Sequence, residues 1–301
     1  MLRPIFLFLL AAGALPLAAQ PAGRVPLILD ADTANEIDDL YAIAYLLGEE
    51  AIDWRGLTSA QWFHQYSGDS TVYQSQRLNE ELLALAGRTD LPHPVGADSI
   101  MGMPWGGYEP RNSPAARFII EQARRADAGA EKLVVMCIGA GTNLASALAL
   151  APDIKHSIRA YVLGFQYDAD RGIWNKDEFN IRRDLNAANY LLNLEGLELH
   201  VMPTSTAGQY RWQRDTTFAR LDQAGPIGDY LKQRWIDHGP DAEVWTMWDV
   251  ALLQAFLHPE WASKRKVTTP PENIPRDVWI YTDIDEAAMA SDFWKRLLNR
   301  P

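Results

Sequence analysis

The chain reads Val-Pro-Leu-Ile-Leu-Asp-Ala-Asp-Thr-Ala-Asn-Glu-Ile-Asp-Asp-Leu from residue 25 to residue 40. An apolar run ends in Asp30 and Asp32, and Asp38 and Asp39 then begin an amphipathic stretch that extends to Leu47. This order predicts a buried strand, a tight acidic turn and the start of a helix. Carboxylates crowded at the end of a buried strand destabilise the folded state unless a cation or a hydrogen-bond network compensates their charge. Hard oxygen ligands favour Ca²⁺ or Mg²⁺, so we expect a divalent metal at the carboxyl edge of a parallel sheet.

The rest of the chain alternates predicted strands with predicted helices. Apolar runs predict strands at residues 25–29, 56–60, 132–138, 158–163, 197–202 and 278–281. Helical periodicity covers residues 38–47, 70–86, 114–125, 143–150, 186–194, 225–237, 250–257 and 286–298. The alternation predicts an α/β fold, a doubly wound and mainly parallel sheet with helices on both faces. Residues 21–301 are expected to form a single domain, with long loops at 89–112 and 167–177 on the side of the active site.

The amino-terminal segment has the pattern of a secretory signal peptide. Residues 1–20 contain Arg3, an almost unbroken apolar run at 5–17 and small residues before Gln20. We therefore expect a periplasmic or secreted protein. The one cysteine, Cys137, lies in an apolar run and is expected to be a buried thiol, so packing without disulfides must stabilise the fold.

Composition excludes two classes of partner. The formal net charge is −11, and such a surface repels nucleic acid backbones. Beyond residue 20 no stretch is long and apolar enough to span a bilayer, so no membrane partner is expected. Basic residues are scattered, and the short group 264–266 is interpreted as a solvated face. The sequence leaves open whether the protein forms a homo-oligomer.

The acidic turn alone fits more than one kind of site. An EF-hand loop counted from Asp30 would need Gly at its sixth place and Glu at its twelfth, but Asn35 and Tyr41 stand there. A phosphatase with an aspartyl nucleophile uses Asp-x-Asp-x-Thr/Val after a strand, and Ala34 stands where the hydroxyl residue should be. The phosphatase stays as an alternative.

Four ordered segments resemble the inosine-uridine-type nucleoside hydrolases, in their exported bacterial branch. The acidic turn is similar to the family signature Asp-x-Asp-x-Gly-Asn-(Asp/Glu)-Ile-Asp-Asp, with Ala34 in place of Gly. Residues 138–145 are similar to Gly-Pro-Leu-Thr-Asn-hydrophobic-Ala, and residues 178–181 to the Glu-Phe-Asn block. Residues 248–251 resemble the C-terminal His-Asp-x-x-Ala, with Trp248 in the place of His. Together they span residues 25 to about 255.

The resemblance implies a Ca²⁺-dependent enzyme that hydrolyses the N-ribosidic bond of a small-molecule ribonucleoside or related riboside. It implies that Ca²⁺ is held by Asp32, Asp39, Asp249 and the backbone carbonyl of Thr142, and that Asp32 is also the general base. The sugar would be bound by Asp38, Asn35, Glu178 and Asn180. Glu178 and Asn180 alternate on what we expect to be an extended segment, so their side chains should share a face. Simpler roles stay open, with Thr142-Asn143 as a helix cap and Asp38 as an N-cap.

Two departures from the family pattern put the leaving-group end of the site in doubt. Trp248 cannot donate a proton to a departing base, although its ring can stack on one. The segment after the second strand, residues 58–64, lacks the expected Gly-Asn, and His64 is a candidate for a sugar or base contact or for simple packing. Because of these departures a second hypothesis stays open. In it the protein binds ribosyl ligands in a metal-dependent way but has lost catalysis.

Overall fold

The structure is a computed structural model that describes residues 24–68, 70–127 and 131–299. The predicted signal peptide, residues 1–20, lies outside the described residues. Seven of the described strands form the central sheet, and the other four form two small two-stranded sheets. In chain order the strands are β1 (Val25–Ala31), β2 (Ile52–Ser59), β3 (Leu133–Cys137), β4 (Ile158–Leu163), β5 (Gln166–Asp168), β6 (Ile173–Asn175), β7 (Glu198–Met202), β8 (Arg211–Gln213), β9 (Val244–Thr246), β10 (Ala262–Thr268) and β11 (Asp277–Ile284).

Helices connect the strands and cover both faces of the sheet. They are α1 (Asp38–Leu46), α2 (Thr71–Leu85), α3 (Pro114–Asp127), α4 (Thr142–Leu150), α5 (Phe179–Arg183), α6 (Leu185–Asn193), α7 (Thr204–Ala207), α8 (Arg214–Leu221), α9 (Gly225–His238), α10 (Trp248–Leu257) and α11 (Glu286–Leu298). The sheet order is β10-β11-β7-β4-β3-β1-β2, and every neighbouring pair is parallel except β10 and β11. The predicted doubly wound, mainly parallel fold is confirmed.

The alternation of side chains along β1 divides the core into two layers. Leu27 and Leu29 belong to the apolar cluster that contains Ile43 of α1, whereas Ile28 belongs to the cluster on the other face with Leu148 of α4. All five side chains are completely buried. Burying one such side chain contributes about 1.5–3 kcal/mol, so packing on both faces holds β1 firmly between β3 and the edge strand β2.

The strand order reverses beside β1, and this places the ligand-binding crevice. From β1 the chain runs to β2 on one side and then crosses to β3 on the other. The connections that leave β1 and β3 therefore diverge, which opens a crevice at their carboxyl ends. Asp30, near the end of β1, pairs in register with Thr58 of β2 and with Cys137 of β3.

The structure differs from the sequence prediction mainly at the sheet edge and in one loop. The basic residues 264–266 are exposed, as expected, but they lie on the edge strand β10, which the hydrophobic pattern could not reveal. Charge on an edge strand hinders pairing with other chains. The predicted loop at 167–177 is wrong over most of its length, because the β5–β6 hairpin packs Tyr167 on Trp174 with ring centroids 5.1 Å apart.

The long loop before α3 and the buried cysteine are as expected. Residues 89–112 contain no helix or strand apart from an isolated bridge between Met103 and Gly106. Cys137 is completely buried. Within the described part of the chain, no helix has the length and apolar character needed to cross a membrane.

A buried histidine makes the stability of this fold depend on pH. Burial lowers the pKa of His200 to about 4, and its Nε2 lies 3.2 Å from Oε1 of Glu198. Since unfolded histidine titrates near pH 6.5, the unfolded chain binds more protons than the folded chain between about pH 6.5 and 4. We expect this group alone to remove up to about 3 kcal/mol of unfolding free energy as the pH falls through that window.

The control is His200→Phe, which keeps a ring between Tyr161 and Trp279 but cannot titrate. Urea unfolding across the window should show a steeper loss of stability for the wild type than for the variant. Parallel stability curves would contradict the assignment.

Candidate active site

A cleft of about 260 Å³ opens at the carboxyl edge of the sheet, where β1 and β3 end. Its volume is close to the lower end of the range usual for small-molecule sites. The cleft is lined by Asp32, Asn35, Glu36, Asp38, Asp39, Ile138, Leu163, Gln166, Asp177, Glu178, Phe179, Asn180, Arg182, Thr204, Trp248 and Asp249. Eight of the ten residues proposed from the sequence are therefore in its wall, and the other two, Thr142 and His64, are not.

Three carboxylates meet at the bottom of this cleft. Asp38, Asp39 and Asp249 each offer an oxygen within 4.8 Å of the others, and each side chain is at most 3% exposed. The two aspartates of α1 come together with the one on α10 because both helices begin here. Helix N-termini favour negative charge, and the backbone N–H of Asp249 donates to Oδ2 of Asp38 (3.1 Å).

Asp32 lies beside this group, at the end of the acidic turn. Its backbone N–H donates to Oδ1 of Asp39 (3.1 Å), and its own Oδ2 is buried without a hydrogen-bond partner among the described residues. A Cβ at Gly139 would come within 2.8–2.9 Å of the Asp32 side chain, so the turn after β3 can approach only because residue 139 is glycine. Asp32 thus presents one free carboxylate oxygen at the cleft.

Burial makes this concentration of charge costly. Desolvation, followed by repulsion from neighbouring carboxylates, raises the pKa of Asp32, Asp39 and Asp249 well above the ordinary range. Burial also raises the pKa of Asp38 to about 6. In the described part of the chain none of the four forms a salt bridge with a basic side chain. A bound divalent cation would offset the repulsion, and an all-oxygen donor set suits one.

Glu178 and Asn180 reach the cleft in a different way from the prediction. Glu178 is extended, but Asn180 lies in the first turn of the short helix α5, so the expected continuous extended segment is wrong. Oε2 of Glu178 caps this helix by accepting from the N–H of Ile181 (3.1 Å). Asn180 Nδ2 donates to the carbonyl of Ile138 (3.0 Å), which fixes the amide beside the end of β3. Helix capping explains why a carboxylate stands three residues before Ile181.

Thr142 and Asp38 do not have the simpler capping roles. Thr142 is the first residue of α4 after the N-cap Gly141, and its hydroxyl donates to Oδ2 of Asp184 (2.7 Å). Asp38 likewise follows the N-cap, Ile37, and no side chain caps that helix end. The role predicted for Thr142 involves its backbone carbonyl and stays a prediction.

His64 does not line the cleft but contacts a residue that does. Its ring centroid lies 6.2 Å from that of Phe179, edge to face, and its Nδ1 accepts from the backbone N–H of Tyr66 (3.2 Å). Phe179 in turn lines the cleft. The guanidinium of Arg183 lies over its ring, 4.6 Å from the ring centroid. The structure therefore brings His64 to a residue of the site, and the predicted direct contact with substrate stays a prediction.

Several residues of the cleft were not proposed from the sequence. Glu36 and Phe179 stand inside the matched motifs, and Asp177 and Arg182 flank the Glu-Phe-Asn block, so their positions carried a signal. Gln166 and Thr204 carried none, because they come from the ends of other elements that only the folded chain brings near.

Asp30 lies beneath the cleft and does not line it. Its Oδ1 accepts from Thr58 Oγ1 (2.6 Å) and from Asn143 Nδ2 (2.8 Å), and the side chain is completely buried. Burial raises the pKa of Asp30 to about 6, against the lowering effect of these two hydrogen bonds. A buried carboxylate so enclosed is a poor nucleophile toward a phosphate ester.

Fold and site together define an α/β enzyme that binds its substrate at the switch point of the sheet, beside an acidic cluster able to hold a metal ion. The model of the inosine-uridine preferring nucleoside hydrolase family matches residues 27–290, so the chain belongs to that family and is a hydrolase. The family is metal-dependent and acts on small-molecule ribonucleosides. No curated protein sequence matches this chain.

Solved structures of the family share the fold at low sequence identity. A plant nucleoside hydrolase is 18% identical, with a TM-score of 0.72 over 92% of this chain and 100% of that chain. A purine-preferring ribonucleoside hydrolase from Gardnerella vaginalis is 19% identical, with a TM-score of 0.68 over 91% and 98%. An inosine-uridine preferring nucleoside hydrolase from Bacillus anthracis is 16% identical, with a TM-score of 0.70 over 92% and 100%.

Removal of metal should destabilise the folded protein. Without a cation the buried carboxylates of Asp32, Asp38, Asp39 and Asp249 repel one another, whereas a ligand bound only by the native state adds to its stability. We expect a lower melting temperature after exhaustive treatment with EDTA, restored by an added divalent cation. The control is Asp249→Asn, which should have a smaller response to EDTA. An unchanged melting temperature in the wild type would remove the argument for a metal at this cluster.

Proposed function

We propose that the protein hydrolyses the N-glycosidic bond of ribonucleosides or related N-ribosides in a Ca²⁺-dependent reaction that releases ribose and the free base. The observation that carries the proposal is the buried carboxylate cluster at the bottom of the cleft, where Oδ2 of Asp32 has no hydrogen-bond partner in the described part of the chain. Membership of the family supports the reaction, and the all-oxygen donor set supports Ca²⁺.

The residues divide into metal ligands and sugar contacts. Asp32, Asp39, Asp249 and the carbonyl of Thr142 would hold Ca²⁺. A bound Ca²⁺ supplies a lowered pKa for a coordinated water and an attachment point for sugar hydroxyls. Asp38, Asn35, Glu178 and Asn180 line the same cleft and would bind the ribose through hydrogen bonds.

Asp32 is the proposed general base. Its free Oδ2 accepts the proton of the attacking water, and the neighbouring carboxylates stabilise the positive charge that develops on the ribose as the bond to nitrogen breaks. Asp30 cannot share this role, because its side chain is completely buried and does not line the cleft.

The leaving-group end contains an aromatic residue where a proton donor would be expected. Trp248 lines the cleft next to the ligand Asp249, and an indole N–H does not act as an acid at neutral pH. We propose that its ring stacks on the base and that the enzyme favours aglycones that need little protonation to depart.

We also propose that the protein works in the periplasm or the medium, as an exported bacterial member of the family. The support is the signal-peptide pattern of residues 1–20 and the absence of any pair of cysteines that could form a disulfide. Protein sequencing of the exported chain would test the site of cleavage.

Asp32→Asn should reduce kcat about a thousandfold or more, because it removes the base and one charge at the metal. The matched control is Asp30→Asn, two residues away, which alters packing and the hydrogen bonds beneath the cleft and should cost far less. Both are checked by steady-state kinetics on p-nitrophenyl riboside. A mild Asp32→Asn with an inactive Asp30→Asn would instead support an aspartyl nucleophile.

Trp248→Ala should lower kcat/KM by about tenfold, corresponding to about 1.4 kcal/mol of lost stacking, mainly through a higher KM. The control is Trp105→Ala, since Trp105 is 83% exposed and does not line the cleft. Kinetics on inosine and on p-nitrophenyl riboside check both variants. Equal constants for the wild type and Trp248→Ala would place the leaving group elsewhere.

A further inference from the structure

The wall of the cleft carries far more negative than positive charge. Seven of its lining side chains are carboxylic acids, one is an arginine, and none is a lysine or a histidine. The arginine, Arg182, is already paired with Asp177 at 2.8 Å. A divalent metal held by the aspartate cluster would offset two further charges. The cleft therefore stays suited to a positively charged guest even when its metal is bound.

Glu36 differs from the wall carboxylates Asp38 and Glu178 in the kind of hydrogen bond that it accepts. Asp38 accepts from the backbone N–H of Asp249, and Glu178 accepts from that of Ile181. The hydrogen bond that the structure gives to Glu36 comes from a neutral side chain, Nε1 of Trp245, at 3.1 Å. This bond holds the carboxylate in the cleft wall. Burial, followed by repulsion from Asp38, raises the pKa of Glu36 to about 8, and a positively charged guest beside it would favour the ionised form.

An aromatic surface is available beside these acids. Phe179 and Trp248 both line the cleft, but Phe179 already has the Arg183 guanidinium against its ring. Trp248 has no such cation among the described contacts, and it lines the cleft while part of its side chain packs on the core. An indole face attracts cations, and the attraction strengthens where water is excluded.

We propose that the preferred substrates are N-ribosides whose aglycone carries a positive charge, recognised by the carboxylate of Glu36 and the face of Trp248. Pyridinium ribosides and N7-alkylated purine ribosides share this chemistry. The inference rests on the proposed function and explains how the chain can cleave ribosides with Trp248 in the place of a proton donor.

The reaction of such a substrate balances without an acid. The bond from C1′ to the cationic nitrogen breaks, and both electrons stay on nitrogen, so the heterocycle leaves as a neutral base. A water oxygen forms the new bond to C1′, and its proton passes to Asp32 and then to solvent. The products are ribose, the neutral base and one proton. The pocket carboxylates stabilise the positive charge that moves from the aglycone to the ribose.

The first experiment measures kcat/KM for two matched substrate pairs near neutral pH in the presence of Ca²⁺. Nicotinamide riboside is compared with uridine, and 7-methylguanosine with guanosine, so that the two arms separate pyridinium from alkylated purine substrates. We expect at least one cationic member to exceed its neutral partner by about a hundredfold or more, which corresponds to about 2.7 kcal/mol. Neutral substrates cleaved as fast as cationic ones in both pairs would overturn the proposal.

The second experiment separates recognition from intrinsic reactivity, since a cationic aglycone is also the better leaving group in water. Glu36→Gln keeps the size of the side chain and removes its charge. The ratio of kcat/KM for the cationic over the neutral substrate should fall about tenfold or more, as expected for a unit charge lost close to the substrate. Trp245→Phe, which removes the N–H that holds Glu36, should lower the same ratio by a smaller factor.

The matched control is Glu131→Gln, an exposed glutamate that precedes β3 at the opposite edge of the sheet, and it should leave the ratio unchanged. A Glu36→Gln variant that loses guanosine cleavage more than 7-methylguanosine cleavage would overturn the proposal, because Glu36 would then serve the neutral base. If Glu36→Gln fails to fold, an unchanged ratio in Trp245→Phe overturns it.

p-Nitrophenyl riboside serves as a neutral reference that needs no protonated leaving group. Its cleavage without any charge preference among the other substrates would remove this inference alone. No cleavage of any riboside in the presence of Ca²⁺ would remove the proposed function as well.

Discussion

Mutual repulsion among buried carboxylates is the constraint on which the rest of this structure depends. Asp32, Asp38, Asp39 and Asp249 lie at the end of one strand and the starts of two helices, each at most 3% exposed. No basic side chain neutralises them within the described part of the chain. Helix N-termini, backbone donors and a bound cation can each compensate such a cluster of buried carboxylates. The folded chain itself supplies the helix N-termini and the backbone donors.

Another buried carboxylate, that of Asp30, belongs to a hydrogen-bond network beneath the site. Asn143 donates to it, and the same amide also donates to the carbonyl of Ser59 (3.0 Å) and accepts from the N–H of Ala97 (2.9 Å). One side chain thereby joins the ends of β1 and β2 to the long loop before α3. Asn143 follows Thr142, so the segment that reaches the predicted metal ligand also anchors the loop beside it. The site is held by a polar network under it as well as by the apolar layers around the sheet.

The leaving-group end shows how one departure from the family pattern changes the chemistry that a shared fold can support. Trp248 replaces a residue able to transfer a proton, while Glu36, held by Trp245, adds negative charge to the same wall. Trp245 lies on β9, which pairs with β8 in a two-stranded antiparallel sheet. The helices α8 and α9 connect these two strands along the chain. Trp245 and Trp248 stand within four residues of Asp249, so one short segment carries both an aspartate of the cluster and the aromatic side chains of this end.

The sequence by itself determined the α/β alternation, the acidic turn after β1 and the family, because apolar periodicity and short motifs are local properties that do not require knowledge of neighbours in space. It also indicated eight residues that line the cleft. Only the tertiary structure decided that Gln166 and Thr204 share that wall, that His64 packs against Phe179, and that Asn180 belongs to a helix. These facts depend on how separate strand ends converge at the switch point of the sheet. The charged edge strand β10 escaped prediction for the same reason, since its pairing with β11 is a contact between segments and its own residues carry no apolar pattern.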